Sequence, residues 1–353
     1  MEQPLLRDIS RGDRMGGIYL VEGANLKTAR NGKHFIQMAL RDHTSSVKAV
    51  RWETSREEFR KVESKPFLRV EGRVEEYQGN PQVIVDKLEA LSAKDANLEA
   101  TDFLPRTKHD VDAMQKELEE RIAAISDEGV RSLVLRILER PGLRENLRTA
   151  PAGKMMHHAY IGGLLEHVLS LVQLADKICD HYPRLDRDIF LAGVVLHDIG
   201  KTEELSCEDG FSYTDEGQMV GHIVMVVSWI DEAARDLGGL DPEMVLQLKH
   251  LVVSHHGKLE YGSPKKPMTA EALAMHFIDN LDAKLIGYFE AYDQLSPTAE
   301  SSRWGEMSYL LDVRPYFPTG LDFRTQPART GRPKTPPESG DASTTKESGQ
   351  LPF

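Results

Sequence analysis

Up to about residue 93 the apolar positions fall in short alternating or continuous runs: Gly17–Val21, His34–Leu40, Ser46–Arg51, Phe67–Val74 and Gln82–Leu88. They are separated by Asn31-Gly32, Asp42-His43-Thr44 and Gln78-Gly79-Asn80-Pro81, residue types that favour tight turns. Five short strands, with a helical EEFRKV insert between the third and fourth, predict a small all-β barrel over residues 1–93. Beyond that point the apolar period lengthens to that of a helix. VDAMQKELEERIAAI and EGVRSLVLRILER repeat apolar residues at i, i+3, i+4 with charged outer faces, so residues 94–150 read as a helical connector, its second helix ended by Pro141-Gly142.

Residues 151–323 read as an all-α domain. GGLLEHVLSLVQLADKI carries one apolar stripe, and IFLAGVVLHDIGK is apolar almost throughout, as a helix buried on most sides would be. EGQMVGHIVMVVSWIDEAARDL reads as one helix with His222 among Met, Val and Ile, followed by PEMVLQLKHLVVSHHG and EALAMHFIDNLDAKLIGYFEA. The last stretch, residues 324–353, is rich in Pro, Ser, Thr and Gly. It has too little apolar area to offset its ordering entropy, and a disordered tail is expected.

Charge and composition narrow the class. The net charge of −12 is uneven: residues 1–95 hold 17 Lys+Arg against 15 Asp+Glu, so the acidity lies in the helical part, where it suits a cation. No apolar run of about 18 residues is present, and the start MEQPLLRDISRGDR lacks an apolar signal core, so no membrane partner is expected. Cys179 and Cys207 lie far apart and form no CxxC pair, which suits a reducing cytoplasm.

The chemistry concentrates in the helical domain, where ten of 13 histidines fall between His157 and His276. His167 sits at the edge of its stripe, and the buried helix that follows ends in His197 and Asp198. Burying an ionised carboxylate costs several kcal/mol unless it is paired or binds a metal. His222, the inward-facing His255, His256 about 100° round from it, and Asp279 with Asp282 three residues on complete a metal-ligand set. Histidine and carboxylate without cysteine suit Mn²⁺, Fe²⁺, Co²⁺ or Zn²⁺, and the number of donors leaves room for two ions.

The order of the barrel strands, in stretches such as NGKHFIQMALRDHTSSVKAVRW, resembles the OB-fold of the anticodon-binding type. Such barrels hold single strands with a basic groove and stacked aromatics. Lys33, Phe35, Arg41, Lys48, Arg51, Trp52 and Tyr77 are the candidate contacts. The pattern His167, His197-Asp198, Asp279 resembles the HD phosphohydrolase signature. With LAGVVLHDIGKTEEL, YTDEGQMVGHIV and SHHGKLEYGSPKKPMTAEALAMHFIDNLDAK, the chain from about residue 10 to 312 is similar to the YhaM-type 3′–5′ exoribonucleases.

That resemblance implies a multidomain chain, an OB barrel followed by an HD domain, that hydrolyses single-stranded RNA or DNA from the 3′ end with metal-activated water. It implies His167, His197, Asp198 and Asp279 as core ligands, and His222, His255 and His256 around a second ion. Asp279 is preferred to Asp282 because it leads the D-x-x-D pair. Mn²⁺ is the foremost metal. Asp198, Lys201 and His157 are the catalytic candidates, Lys201 as a point charge on phosphate and His157, with His158 and Tyr160, at the 3′ nucleotide. A homo-oligomer is a further expectation. The alternatives are an HD nucleotide or cyclic-nucleotide phosphohydrolase with a regulatory barrel, and a non-catalytic strand-binding protein.

Overall fold

The computed structural model describes residues 3–92, 98–154, 158–207, 210–293 and 303–318. The expected tail, 324–353, lies outside them, as does His157.

Five strands form a closed barrel in the order β1-β2-β3-β5-β4: β1 Arg14–Thr28, β2 His34–Arg41, β3 Ser46–Arg51, β4 Phe67–Tyr77 and β5 Asn80–Leu91. Alternation drives the closure. In β4, Leu68, Val70 and Val74 are buried while Arg69, Glu71 and Arg73 between them are exposed. β3 runs parallel to β5, and all other pairs in the barrel are antiparallel. The insert forms α1, Arg56–Glu63, whose first turn is capped by Ser55 accepting from the Glu58 N–H. Its Phe59 and Val62 join the barrel core. β1 runs well past the expected Val21, because an irregularity between Glu22 and Asn25 interrupts the alternation without ending the strand.

The helical body begins within the expected connector. Helices α2 Val111–Ala123, α3 Glu128–Leu138 and α4 Leu143–Leu147 share one core with α5 Gly163–His181, α6 Arg187–Leu196, α9 His222–Leu237, α10 Pro242–Ser254 and α11 Ala270–Asp293. Within residues 94–150, the helices from Val111 to Leu147 thus pack into that body. A short helix α7, Lys201–Glu204, leads into a hairpin of β6 Leu205–Ser206 and β7 Ser212–Tyr213, and then α8 Asp215–Met219.

The helix expected to run through His222 is broken. Gly221 adopts φ +81°, a left-handed conformation that ends α8 from α9 and makes His222 the first residue of α9. Met219 and Val220 before the glycine and Ile223 and Val224 after it are all apolar, so the sequence alone does not show the break.

Barrel and body share a third apolar cluster. Leu20, Phe67 and Leu91 of the barrel pack with Leu104, Ile161 and Phe211. Burying a side chain of this size is worth roughly 1.5–3 kcal/mol, so the barrel is a packed neighbour of the body. Among the described residues no helix is long and apolar enough to cross a membrane.

Candidate metal centre

The ends of the core helices bring the ligand candidates together. α6 stops at Leu196 and delivers His197 and Asp198, both buried, into the centre of the body. α10 stops at Ser254 and delivers His255 and His256. His167 comes from α5, His222 from the start of α9, and Asp279 from α11. Donor atoms of His167, His197 and Asp279 lie within 4.8 Å of one another, and so do those of Asp198, His222, His255 and His256.

Asp198 stands between these groups. Its Oδ2 lies 3.6 Å from His167 Nε2 and 3.4 Å from His197 Nε2, while its Oδ1 lies 3.3 Å from His222 Nε2 and 3.5 Å from His255 Nε2. Asp279 Oδ1 is 3.3 Å from His167 Nε2, so the first aspartate of the D-x-x-D pair faces the centre. Asp282 takes another place, 2.9 Å from His167 Nδ1 on the far side of the ring.

The rings are oriented from behind. His197 Nδ1 is 2.7 Å from the Val194 carbonyl, and His255 Nδ1 is 2.7 Å from that of Val252. A carbonyl only accepts, so the proton is on Nδ1 and Nε2 presents a lone pair. His222 Nδ1 lies 3.0 Å from Glu204 Oε2, and its backbone N–H donates to Oε1 at 3.2 Å. His197 Nε2, Asp198 Oδ1, His222 Nε2, His255 Nε2 and His256 Nδ1 are buried with no hydrogen-bond partner. Buried polar atoms are normally satisfied. A convergent group of nitrogen lone pairs and carboxylate oxygens fits divalent cations of the Mn²⁺, Fe²⁺, Co²⁺ or Zn²⁺ kind.

Electrostatics agree with that fit. Burial would raise the Asp198 carboxyl, but the Lys201 ammonium foremost outweighs it and the carboxyl lies well below its usual range. Burial acts the same way on Asp279, where the His167 hydrogen bond wins and keeps it ionised. Burial lowers His197 and His255, and brings His256 down to about 3 with help from His255, so these rings are neutral at pH 7. His167 differs. Burial opposes its charge, but the hydrogen bonds to Asp279 and Asp282 prevail and raise it to about 10. To ligate through Nε2 it must lose that proton. Metal affinity is therefore expected to rise with pH between 6 and 9, with proton release visible as a buffer-dependent binding enthalpy. Affinity that is flat across this range would contradict it.

Gly257 fixes the turn that carries His255 and His256. Its φ is +74°, and a Cβ there would lie 2.2–2.4 Å from the ring atoms of His276, whose Nδ1 is held 3.0 Å from the His255 carbonyl. Gly257→Ala incurs about 1–2 kcal/mol of left-handed strain and displaces His276 as well. Thermal unfolding should drop by several degrees, with weaker metal uptake. An unchanged melting temperature would show that the turn tolerates a side chain.

The remaining candidates divide. Lys201 Nζ donates to Asp198 Oδ2 at 2.6 Å, so its ammonium already lies at the centre. His158 and Tyr160 form a network beside it: His158 Nδ1 is 2.7 Å from the Tyr160 hydroxyl and Nε2 is 3.1 Å from Asp282. On the barrel, Trp52 is exposed and packs on Phe35 with ring centroids 4.8 Å apart, while Lys48 and Tyr77 are also exposed. A hollow of about 330 Å³ beside Trp52 is lined by Arg51, Glu53, Arg73, Ile84, Val85 and Asp86. Three of the basic candidates have partners within the chain: Lys33 with Glu53, Arg41 with Glu22, and Arg51 with the carbonyls of Val85 and Asp86. Glu204 escaped the sequence reading, because its partner His222 is 18 residues away across the hairpin.

The HD domain family matches residues 164–284, and the OB-fold nucleic acid binding domain family matches residues 20–91. Fold and site together define a hydrolase that joins an OB barrel to an HD centre. The 3′-5′ exoribonuclease YhaM of Bacillus subtilis is 33% identical over 306 residues, 87% of this chain and 95% of that protein. Those of Bacillus velezensis and of a Geobacillus species are 33% and 34% identical, each over 87% of this chain and 95% and 92% of their own. The chain belongs to the YhaM family of 3′-5′ exoribonucleases.

Proposed function

We propose that this protein is a metal-dependent 3′–5′ exoribonuclease acting on single strands and releasing 5′-nucleotides, with single-stranded DNA as a second substrate. One observation carries the two-cation form of this reading: each oxygen of Asp198 faces its own pair of histidines. His167, His197 and Asp279 would hold one ion and His222, His255 and His256 the other, with Asp198 shared. Divalent cations in such a site, Mn²⁺ foremost, acidify water to a pKa of roughly 7 and offset charge on phosphoryl oxygens.

The chain's own groups supply the rest. Neutral His197 and His255, locked as Nδ1–H tautomers, keep their lone pairs aimed inward without rearrangement. The Lys201 ammonium adds a positive charge beside Asp198 where a phosphate would lie. Hydrolysis breaks the P–O3′ bond, leaving the phosphate on the released nucleotide and a 3′-hydroxyl on the shortened strand. Trp52, Phe35, Tyr77 and Lys48 offer the stacking and charge that hold the upstream strand. Lys33, Arg41 and Arg51 contribute less, being engaged within the chain.

The test sets a short labelled strand beside a panel of free and cyclic nucleotides. Strand degradation with the panel untouched supports this reading; turnover of free nucleotides alone supports a nucleotide phosphohydrolase with a regulatory barrel. A strand bound but never shortened with Mn²⁺ supplied supports a non-catalytic binding protein. Salt offers a second check. A strand held through several phosphates should lose affinity with a log–log slope of about −0.7 per contact, while cleavage of a minimal phosphodiester stays nearly constant. Equal salt dependence for both substrates would argue against a separate strand-binding surface.

The free thiols Cys179 and Cys207 support a cytoplasmic location. A homo-oligomer is supported by Leu273, Phe277, Leu281, Leu285 and Phe289, exposed at four-residue spacing along α11. Sedimentation at a single-chain mass would contradict it.

A further inference from the structure

Behind the ligand candidates lies a second set of buried carboxylates, and its arrangement is paired. In the group of His167, His197 and Asp279, His197 is held by a backbone carbonyl, whereas His167 Nδ1 is held by Asp282. In the group of Asp198, His222, His255 and His256, His255 is held by a backbone carbonyl, whereas His222 Nδ1 is held by Glu204. Each group thus has one histidine backed by a carboxylate that does not itself face the centre.

From this pairing, and resting on the two-cation reading above, we infer that Asp282 and Glu204 are positioning residues, one for each cation. Each fixes the tautomer and orientation of one histidine and supplies negative charge to its own half of the centre.

Both carboxylates are firmly held. Asp282 accepts from Ser170 Oγ at 2.7 Å in addition to its contacts with His167 and His158. Glu204 closes α7, and its backbone carbonyl accepts from Thr214 N–H at 3.0 Å. A Cβ on Gly217 would lie 2.2 Å from that same oxygen, so α8 packs tightly over Glu204.

Charge balance points the same way. Of the carboxylates beside the centre, Asp198 and Asp279 supply two negative charges when ionised, and the Lys201 ammonium, which donates to Asp198, cancels one of them. Two divalent cations bring four positive charges, and an uncompensated charge in a buried site is costly. With Asp282 and Glu204 the centre has four buried or nearly buried carboxylates. The outer pair therefore supplies half of the negative charge available to the ions. A carboxylate behind a ligating imidazole also makes that ring a stronger donor, and losing such a partner typically weakens metal affinity by about 10–100-fold.

The experiment uses the full-length chain, stripped of metal and titrated with Mn²⁺ by calorimetry and by electron paramagnetic resonance of the free ion. The variants are Glu204→Ala, Glu204→Gln, Asp282→Asn and Asp282→Ala. Wild type should take up two ions. Each alanine variant should keep one site at wild-type affinity and lose about 10–100-fold at the other. The amide variants keep an oxygen that accepts from Nδ1–H but carry no charge, so they should fall between wild type and alanine. They preserve size, so they test the idea even where an alanine variant does not fold. Combining Glu204→Gln with Asp282→Asn should weaken both sites. Wild-type affinity at both sites in either amide variant and its alanine counterpart would overturn the inference. Equal weakening of both sites by one substitution would overturn its one-per-cation form. A wild-type protein that takes up no ion, or only one, would instead overturn the two-cation reading beneath it.

Discussion

His197→Ala and Asp198→Ala should each slow hydrolysis by about 10³-fold or more, while the barrel stays folded. Both residues reach the centre from the end of α6, and the two oxygens of Asp198 lie beside different pairs of histidines. A cation that offsets phosphoryl charge is worth several kcal/mol of barrier, and every 1.36 kcal/mol is a factor of ten in rate. Asp198→Ala should be the more severe. In the proposed two-cation site it removes the shared ligand, and it leaves the Lys201 ammonium without the carboxylate it donates to. Bound metal should fall in parallel, to less than one ion per chain for Asp198→Ala. Circular dichroism and the melting profile should confirm that the barrel strands persist. Turnover near wild type in either variant would remove this centre from the mechanism.

Trp52→Ala and Tyr77→Ala should raise KM for long strands and leave kcat on a minimal phosphodiester almost unchanged. Both side chains are exposed on the barrel, and Trp52 rests on Phe35 with ring centroids 4.8 Å apart. Stacking of a base on an aromatic ring is worth about 1–3 kcal/mol, which translates to roughly 5- to 150-fold in KM for Trp52→Ala. Binding remote from the reacting bond acts on KM rather than on kcat. Point substitutions are the right tool, because deleting the barrel would also strip Leu20, Phe67 and Leu91 from Leu104, Ile161 and Phe211. A loss that is equal on long and minimal substrates would mean that the barrel acts as support for the helical body.

The parts of the molecule legible in its sequence are those that rest on local patterns. The barrel strands show because their inner and outer faces alternate, and the HD pair shows because a carboxylate ending an apolar helix needs a partner. The preference for Asp279 over Asp282 came from the family resemblance; in the structure Asp279 lies by His167 Nε2 and Asp282 by Nδ1. What stayed hidden depends on contacts distant in sequence. Glu204 lies in an ordinary acidic stretch, and nothing local ties it to His222. The break at Gly221 is masked by apolar residues that continue across it. The charges of Arg41 and Arg51 looked free for a strand, but Glu22 and the β5 carbonyls engage them, since barrel closure decides which strands become neighbours.

The most direct test of the central claim follows a 5′-labelled RNA carrying a single-stranded 3′ overhang beside a hairpin. Metal-free protein is compared with protein supplied with Mn²⁺. The account predicts a ladder that shortens from the 3′ end only when metal is present, releases 5′-nucleotides, and stalls near the hairpin because a groove for stacked single bases does not admit paired ones. Internal cuts, or release of the labelled 5′-terminal nucleotide first, would contradict it.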